Sequence, residues 1–204
     1  MTEEHRILVG ITGASGAVYA ERLIEELIQR VPRVYVIFTS AGKQVCDYEL
    51  CSKKNGFSLK ALLAGKIDKK HREILRVFDD DDLFAPVASG SSAATHMIVV
   101  PGSMGTLARI HGGMSTGLLE RSADVMLKQK KPLILCPRET PFNTIHLRNM
   151  LGLSEMGAHI VPAMPAFYQK PKSIQDMVDF MTGRILELLN LDHTLYKAWN
   201  QRMR

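Results

Sequence analysis

Short, nearly unbroken apolar runs alternate along this chain with longer stretches in which apolar residues return every three or four positions. Ile7, Leu8, Val9 and Ile11 make the first run, the pattern of a strand covered on both faces. Val34–Phe38, Met97–Val100, Leu133–Cys136 and the shorter His159–Val161 repeat it. Behind the first run, Ala17, Ala20, Leu23, Ile24, Leu27 and Ile28 keep helical period. Helices are likewise expected through Gln44–Leu50, from Leu107 through Ile110, and over 118–130. Two more are expected from Thr144 to Met156, with Gly157 as cap, and from Ser173 to Leu191.

Strands alternating with helices predict an α/β fold: a single-domain, Rossmann-like, doubly wound parallel sheet with helices on both faces. Ligands of such sheets sit beyond the carboxyl ends of the strands. That rule gathers the turn Gly13–Gly16, Ser40, the turn Ser103–Thr106, and Arg138 with Glu139 at one edge. In the first turn, Gly10, Gly13 and Gly16 stand at three-residue spacing, and a helix opens directly off the strand. Its free N–H groups and positive dipole end suit an anion, most often phosphate. The spacing is neither the dinucleotide fingerprint nor a Walker motif. The hydroxyls of Thr12 and Ser15 favour a site, although Ser15 would also serve as a helix cap. Backbone donors, hydroxyls and Arg138 together suit a phosphorylated cofactor.

Composition narrows this further. The 204 residues suffice for one domain, and 46% hydrophobic residues exclude disorder. No apolar run approaches the roughly 20 residues that span a bilayer. The N-terminus is short and charged, unlike a signal peptide, so a cytoplasmic protein is expected. The three cysteines lack metal-ligand spacing and read as reduced thiols, with no metal site. The net charge of +5 is scattered and only 6% of residues are aromatic, so a small anion fits better than nucleic acid. Lys53–Lys70 is polar and lysine-rich, with a short helix suggested by Leu59, Leu62 and Leu63. The run Asp79–Asp82 reads as a solvated loop.

The chain resembles the flavin prenyltransferase family, the UbiX-like proteins once called aromatic acid decarboxylases. The resemblance rests on Gly-Ile-Thr-Gly-Ala-Ser-Gly at 10–16, Pro-Gly-Ser-Met-Gly-Thr-Leu-Ala at 101–108 and Leu-Leu-Glu-Arg-Ser-Ala-Asp-Val-Met-Leu-Lys at 118–128. It continues through Pro-Leu-Ile-Leu-Cys-Pro-Arg-Glu-Thr-Pro at 132–141, His-Leu-Arg-Asn-Met at 146–150 and Pro-Ala-Met-Pro-Ala-Phe-Tyr at 162–168. Residues 52–82, the Ser-Gly-Ser-Ser-Ala-Ala at 89–94 and the tail match less well. A flavoprotein domain is expected over 1–191, and a C-terminal extension over 192–204 that serves as an oligomer arm.

The resemblance implies transfer of a dimethylallyl group from dimethylallyl monophosphate to N5 and C6 of reduced FMN, without a metal. It implies a homo-oligomer, dodecameric or trimer-based, and a UbiD-type decarboxylase as user of the product. By the same resemblance Gly13, Ala14, Ser15, Ser40, Ser103, Met104, Gly105, Thr106 and Arg138 hold FMN. Arg121, Lys128, Tyr168 and Arg184 hold the donor phosphate, and Ser15, Glu49 and Glu139 serve catalysis. On spacing alone, Arg121, Lys128 and Arg184 read as exposed helix faces. Two other functions share these features. An FMN-dependent cysteine decarboxylase has the same sheet, but Pro141-Phe-Asn143-Thr-Ile-His146 lacks that family's methionines and tryptophan. A non-catalytic FMN carrier has no use for a second group of cations.

Overall fold

The computed structural model describes residues 5–50, 59 and 73–197. Six strands form one parallel sheet: β1 (Arg6–Ile11), β2 (Arg33–Phe38), β3 (Leu75–Asp79), β4 (His96–Gly102), β5 (Leu133–Pro137) and β6 (His159–Ile160). Among the described residues, the helices α1 (Ala17–Leu27), α2 (Ser40–Leu50), α3 (Met104–His111), α4 (Leu118–Lys128), α5 (Thr144–Glu155) and α6 (Ile174–Leu188) connect or follow them. Of the expected short helix near Leu59, Leu62 and Leu63, only Leu59 lies within the described residues, and it is buried.

The inner strands β1, β2, β4 and β5 are buried on both faces because both faces carry helices. Ile7, Val9, Ile11, Ile98 and Ile134 join α1 and α6 in one apolar layer. Their sequence neighbours Leu8, Met97, Val99, Leu133 and Leu135 join α3, α4 and α5 in the other. A period of two within a continuous apolar run is what a doubly covered strand requires. Helix starts are sequence-encoded at three places. Asn143 and Ser173 form capping boxes with His146 and Asp176, and Ser103 caps α3.

The strand order is β3-β2-β1-β4-β5-β6. The chain builds outward from β1 to β3, then crosses back to lay β4 against the other side of β1. The order therefore reverses between β1 and β4, and a crevice opens beyond their carboxyl ends.

β3 was not expected from the sequence. It is an edge strand, paired on one side only, and Arg76 and Val77 are exposed. An edge strand of that kind leaves no continuous apolar run.

Candidate functional site

The crevice is built by the turns after β1 and β4. Thr12 is fully buried between them. Its hydroxyl donates to the Pro101 carbonyl at 2.7 Å and accepts the Ser103 N–H at 2.7 Å. The hydroxyl expected to face a ligand is thus spent on joining the two strand ends. The start of α2 packs against the same turn. A Cβ on Gly13 would stand 2.6 Å from that of Ala41, and one on Gly42 would stand 2.4 Å from the Ile11 carbonyl oxygen. Glycine at both positions lets α2 approach the end of β1.

The start of α1 carries an anion, as its N–H groups demand, but the anion belongs to the chain. Gly16 takes φ +110° as the residue before the helix. Its N–H donates to the Glu49 carboxylate at 2.9 Å, and the Ala17 N–H donates to it at 2.8 Å. Burial alone would raise the Glu49 carboxyl. Hydrogen bonds from Ser15, Ala17 and Gly16, with the charge of Arg138, outweigh burial and hold it below the usual carboxylate range. Ser15 itself does not cap α1. Arg138 follows β5, and its Nε donates to the Ser15 carbonyl at 3.0 Å. Ser15, Glu49 and Arg138 therefore meet at one point, from three segments distant in sequence. Glu139 accepts the Thr140 N–H at 2.9 Å, so this carboxylate is turned onto its own loop.

The start of α3 faces the same crevice. Ser103 Oγ accepts the Thr106 N–H at 3.3 Å and donates to Thr106 Oγ1 at 3.0 Å. Gly105 is exposed there and Met104 is buried. Ser40, at the start of α2, lines a cavity of about 420 Å³ with Phe38, Lys43, Asp79 and Thr116. Lys43 pairs with Asp79 at 2.9 Å. The acidic run is more than a solvated loop. Asp80 accepts the Leu119 N–H at 2.8 Å through its side chain and the Leu118 N–H at 2.6 Å through its carbonyl, which caps α4. Burial pushes the Asp80 carboxyl up.

Tyr168 and Arg184 belong to a second cluster, built on α6. Tyr168 meets Phe180 edge-on at 5.9 Å, and Phe180 packs on Tyr196 at 5.1 Å. Arg184 pairs with Glu187, which also accepts the Tyr196 hydroxyl. Burial and that bond push the Tyr196 phenol up to about 12. Arg184 lines a cavity of about 450 Å³ beside β6. The described part of the C-terminal extension, residues 192–197, folds back onto this cluster. Tyr196 and His193 lie so close to Gly183 that a Cβ there would stand 2.4 Å and 2.7 Å from their rings.

Arg121 and Lys128 lie on α4. Arg121 donates to the Ala88 carbonyl at 3.2 Å and pairs with Asp124 at 3.0 Å. α4 starts at Asp80, beyond the carboxyl end of β3, and runs back to the amino end of β5. Lys128, its last residue, is thus about 15 Å along the helix axis from Leu118, at the opposite edge of the sheet. Cys136, two residues before Arg138, is fully buried, and burial pushes its thiol up to about 12, so it is no nucleophile. Among the described residues no cluster of acidic, histidine or cysteine side chains could hold a metal ion, and no helix is long and apolar enough to cross a membrane.

The spacing of residues gave no sign of one further pair. Arg109 on α3 and the buried Glu120 on α4 form an ion pair beside Thr106. The two residues share no helix, so helical spacing cannot announce them.

Comparison with known proteins bears on this geometry. The family model described as Flavoprotein matches residues 1–186. The flavin prenyltransferase UbiX of Halalkalibacterium halodurans is 45% identical, over 95% of this chain and 92% of its own length. A solved UbiX structure in complex with FMN and dimethylallyl pyrophosphate superposes with a TM-score of 0.85 at 39% identity, covering 97% of this chain and 98% of its own. A dodecameric FMN-dependent UbiX-like decarboxylase from Escherichia coli superposes with a TM-score of 0.83 at 36% identity, covering 95% and 98%.

Proposed function

The chain belongs to the Flavoprotein family, and from that premise we infer that it is a flavin prenyltransferase, which joins a dimethylallyl group to reduced FMN. The observation that carries the reading is the meeting of Ser15, Glu49 and Arg138 beside the capped start of α3, at the crevice between β1 and β4. Reduced FMN supplies N5 and then C6 as nucleophiles, dimethylallyl phosphate supplies the five-carbon group, and inorganic phosphate leaves.

The residues present fit that task. Glu49 already fills the anion seat of α1, so the flavin phosphate goes to α3. There Ser103 takes the Thr106 N–H, which leaves the N–H groups of Met104 and Gly105 for phosphate oxygens. Gly13, Ala14 and Ser40 line the approach, and Arg138 supplies a charge-assisted bond. Glu49, hydrogen-bonded to Ser15, is placed to take through that hydroxyl the proton that ring closure releases. Glu139 lies next to Arg138 and serves the same proton. Donors aimed at the leaving phosphate come from Tyr168 and Arg184.

Arg121 and Lys128 complete that second phosphate site in a neighbouring subunit of a homo-oligomer. Three observations support this: the far position of Lys128, the exposed Ile145, Leu147 and Leu151 on α5, and the dodecameric relative. The product goes to a UbiD-type decarboxylase. The buried, unbridged thiol of Cys136 fits a reducing, cytoplasmic setting. The deciding experiment is anaerobic incubation with reduced FMN and dimethylallyl monophosphate, then mass measurement of the bound flavin. A gain of one dimethylallyl group with release of phosphate is expected. Unchanged FMN in a protein that binds both ligands would leave only a carrier.

A further inference from the structure

The Ser103–Thr106 turn is held by a charged pair, Arg109 and Glu120. Thr106 is 1% exposed. Arg109 lies one turn further along α3, and its side chain runs back over the start of the helix, as helical side chains do. Arg109 Nη2 donates to Thr106 Oγ1 at 3.2 Å, while Nε pairs with Glu120 of α4. Glu120 is 4% exposed and also accepts the Thr116 N–H at 2.9 Å and the Thr116 hydroxyl. A guanidinium has donors only, so Thr106 Oγ1 must accept from it. The same oxygen accepts from Ser103 Oγ at 3.0 Å. Both of its lone pairs are then taken, and both hydroxyls of the turn are fixed in one arrangement.

We propose that Arg109, clamped by Glu120, is a positioning residue for the Ser103–Thr106 turn and sets how tightly that turn holds the flavin phosphate. The inference rests on the reading of this turn as the phosphate seat. Positioning, rather than direct binding, follows from the charges around Arg109. Glu120 pairs with it, and the carboxylate of Asp80 interacts with both. Its positive charge is thus balanced within the protein. An ion pair that merely tied α3 to α4 would not need the second arm of the fork. Here that arm reaches the cap, and Nη1 comes within 3.5 Å of where a Cβ on the exposed Gly105 would stand.

The test is a double-mutant cycle in FMN affinity, read by flavin fluorescence quenching, with thermal unfolding of each variant alongside. Thr106→Val and Arg109→Met should each weaken FMN binding about tenfold. The double variant should be no weaker than either single one, because Arg109 acts through Thr106. Arg109→Lys keeps the charge but not the fork, and should resemble Arg109→Met. The donor concentration for half-maximal rate at saturating FMN should stay at the parent value throughout. If Arg109→Met does not fold, replacing both partners by Met removes the unpaired buried carboxylate and takes its place. Arg109 variants that bind FMN like the parent, beside a weakened Thr106→Val, overturn this inference alone, as does simple additivity in the cycle. If Thr106→Val and Ser103→Ala both bind like the parent, the phosphate seat itself is misplaced and the inference falls with it.

Discussion

The crevice between β1 and β4 and the cluster on α6 are both rich in polar groups, but they are built in different ways. The crevice is made of backbone. Turns at two strand ends, three helix starts and close glycine and hydroxyl contacts build it within one chain. The α6 cluster is made of side chains. Tyr168 and Arg184 are held by rings and by Glu187, and the other two cations assigned to the same phosphate lie elsewhere. On the reading proposed above, a site of the first kind needs one protomer, and a site of the second kind becomes complete when another copy brings its share.

Damage to the backbone site tests this contrast most severely. Gly42→Val would drive a branched side chain into the Ile11 carbonyl, 2.4 Å from its Cβ. Overpacking of this sort costs about 1–3 kcal/mol, and here the obstacle is backbone, which cannot turn aside. Thermal unfolding should drop accordingly and FMN binding should be lost. A Gly42→Val protein that binds FMN like the parent would mean that the approach of α2 does not shape the crevice.

The next effect separates the two ligands. A charge-assisted bond to phosphate contributes about 1.5–3 kcal/mol, or tenfold and more in affinity. Arg184→Ala and Tyr168→Phe should raise the donor requirement with FMN affinity intact. Arg138→Ala should do the reverse. Fluorescence quenching by FMN alongside single-turnover prenylation at several donor concentrations decides it. Loss of both ligands in one variant would merge the two sites that the proposal keeps apart.

Mixing sharpens the point about completeness. Ser15→Ala and Lys128→Ala proteins should each prenylate slowly. If Lys128 serves a neighbour's site, oligomers assembled from both contain some sites with an intact Ser15 and an intact Lys128. Activity should then rise above that of either variant. Mixed oligomers no better than the separate variants would place Lys128 in the site of its own chain, or in none.

The same contrast explains what the sequence could disclose. Strands β1, β2, β4 and β5 are legible because burial on two faces leaves continuous apolar runs, whereas β3, at the edge, has Arg76 and Val77 exposed. The glycine turn marked an anion seat, but not that Glu49, 33 residues away from Gly16, fills it. Thr12 looked like a ligand group, and only the partner strand shows that its hydroxyl is already used. Asp80 looked like solvent-facing loop because its partners, Leu118 and Leu119, lie nearly forty residues on. Local pattern reports backbone elements well. Which polar groups meet depends on the order of strands in the sheet, and that order is written in no single segment.

The smallest expected effect concerns the carboxylate at the start of α1. Hydrogen bonds from Ser15, Ala17 and Gly16 and the charge of Arg138 hold Glu49 below its ordinary range despite the opposing push of burial. A carboxyl whose folded value is depressed stabilises the fold fully above its unfolded value, ordinarily near 4.5. That contribution fades as pH falls through the lowered folded value. Stability of the parent should therefore decline on the acid side of this window, and Glu49→Gln should show a shallower decline. The difference is modest because Glu49 is largely exposed and water screens its partners. The variant should also be less stable than the parent near neutrality, where an amide is a poorer acceptor for the two N–H groups than a carboxylate. Thermal unfolding of both proteins across the acid range measures it. Parallel curves would mean that the helix start does not lower the Glu49 carboxyl, and the anion seat would then be open to the flavin phosphate after all.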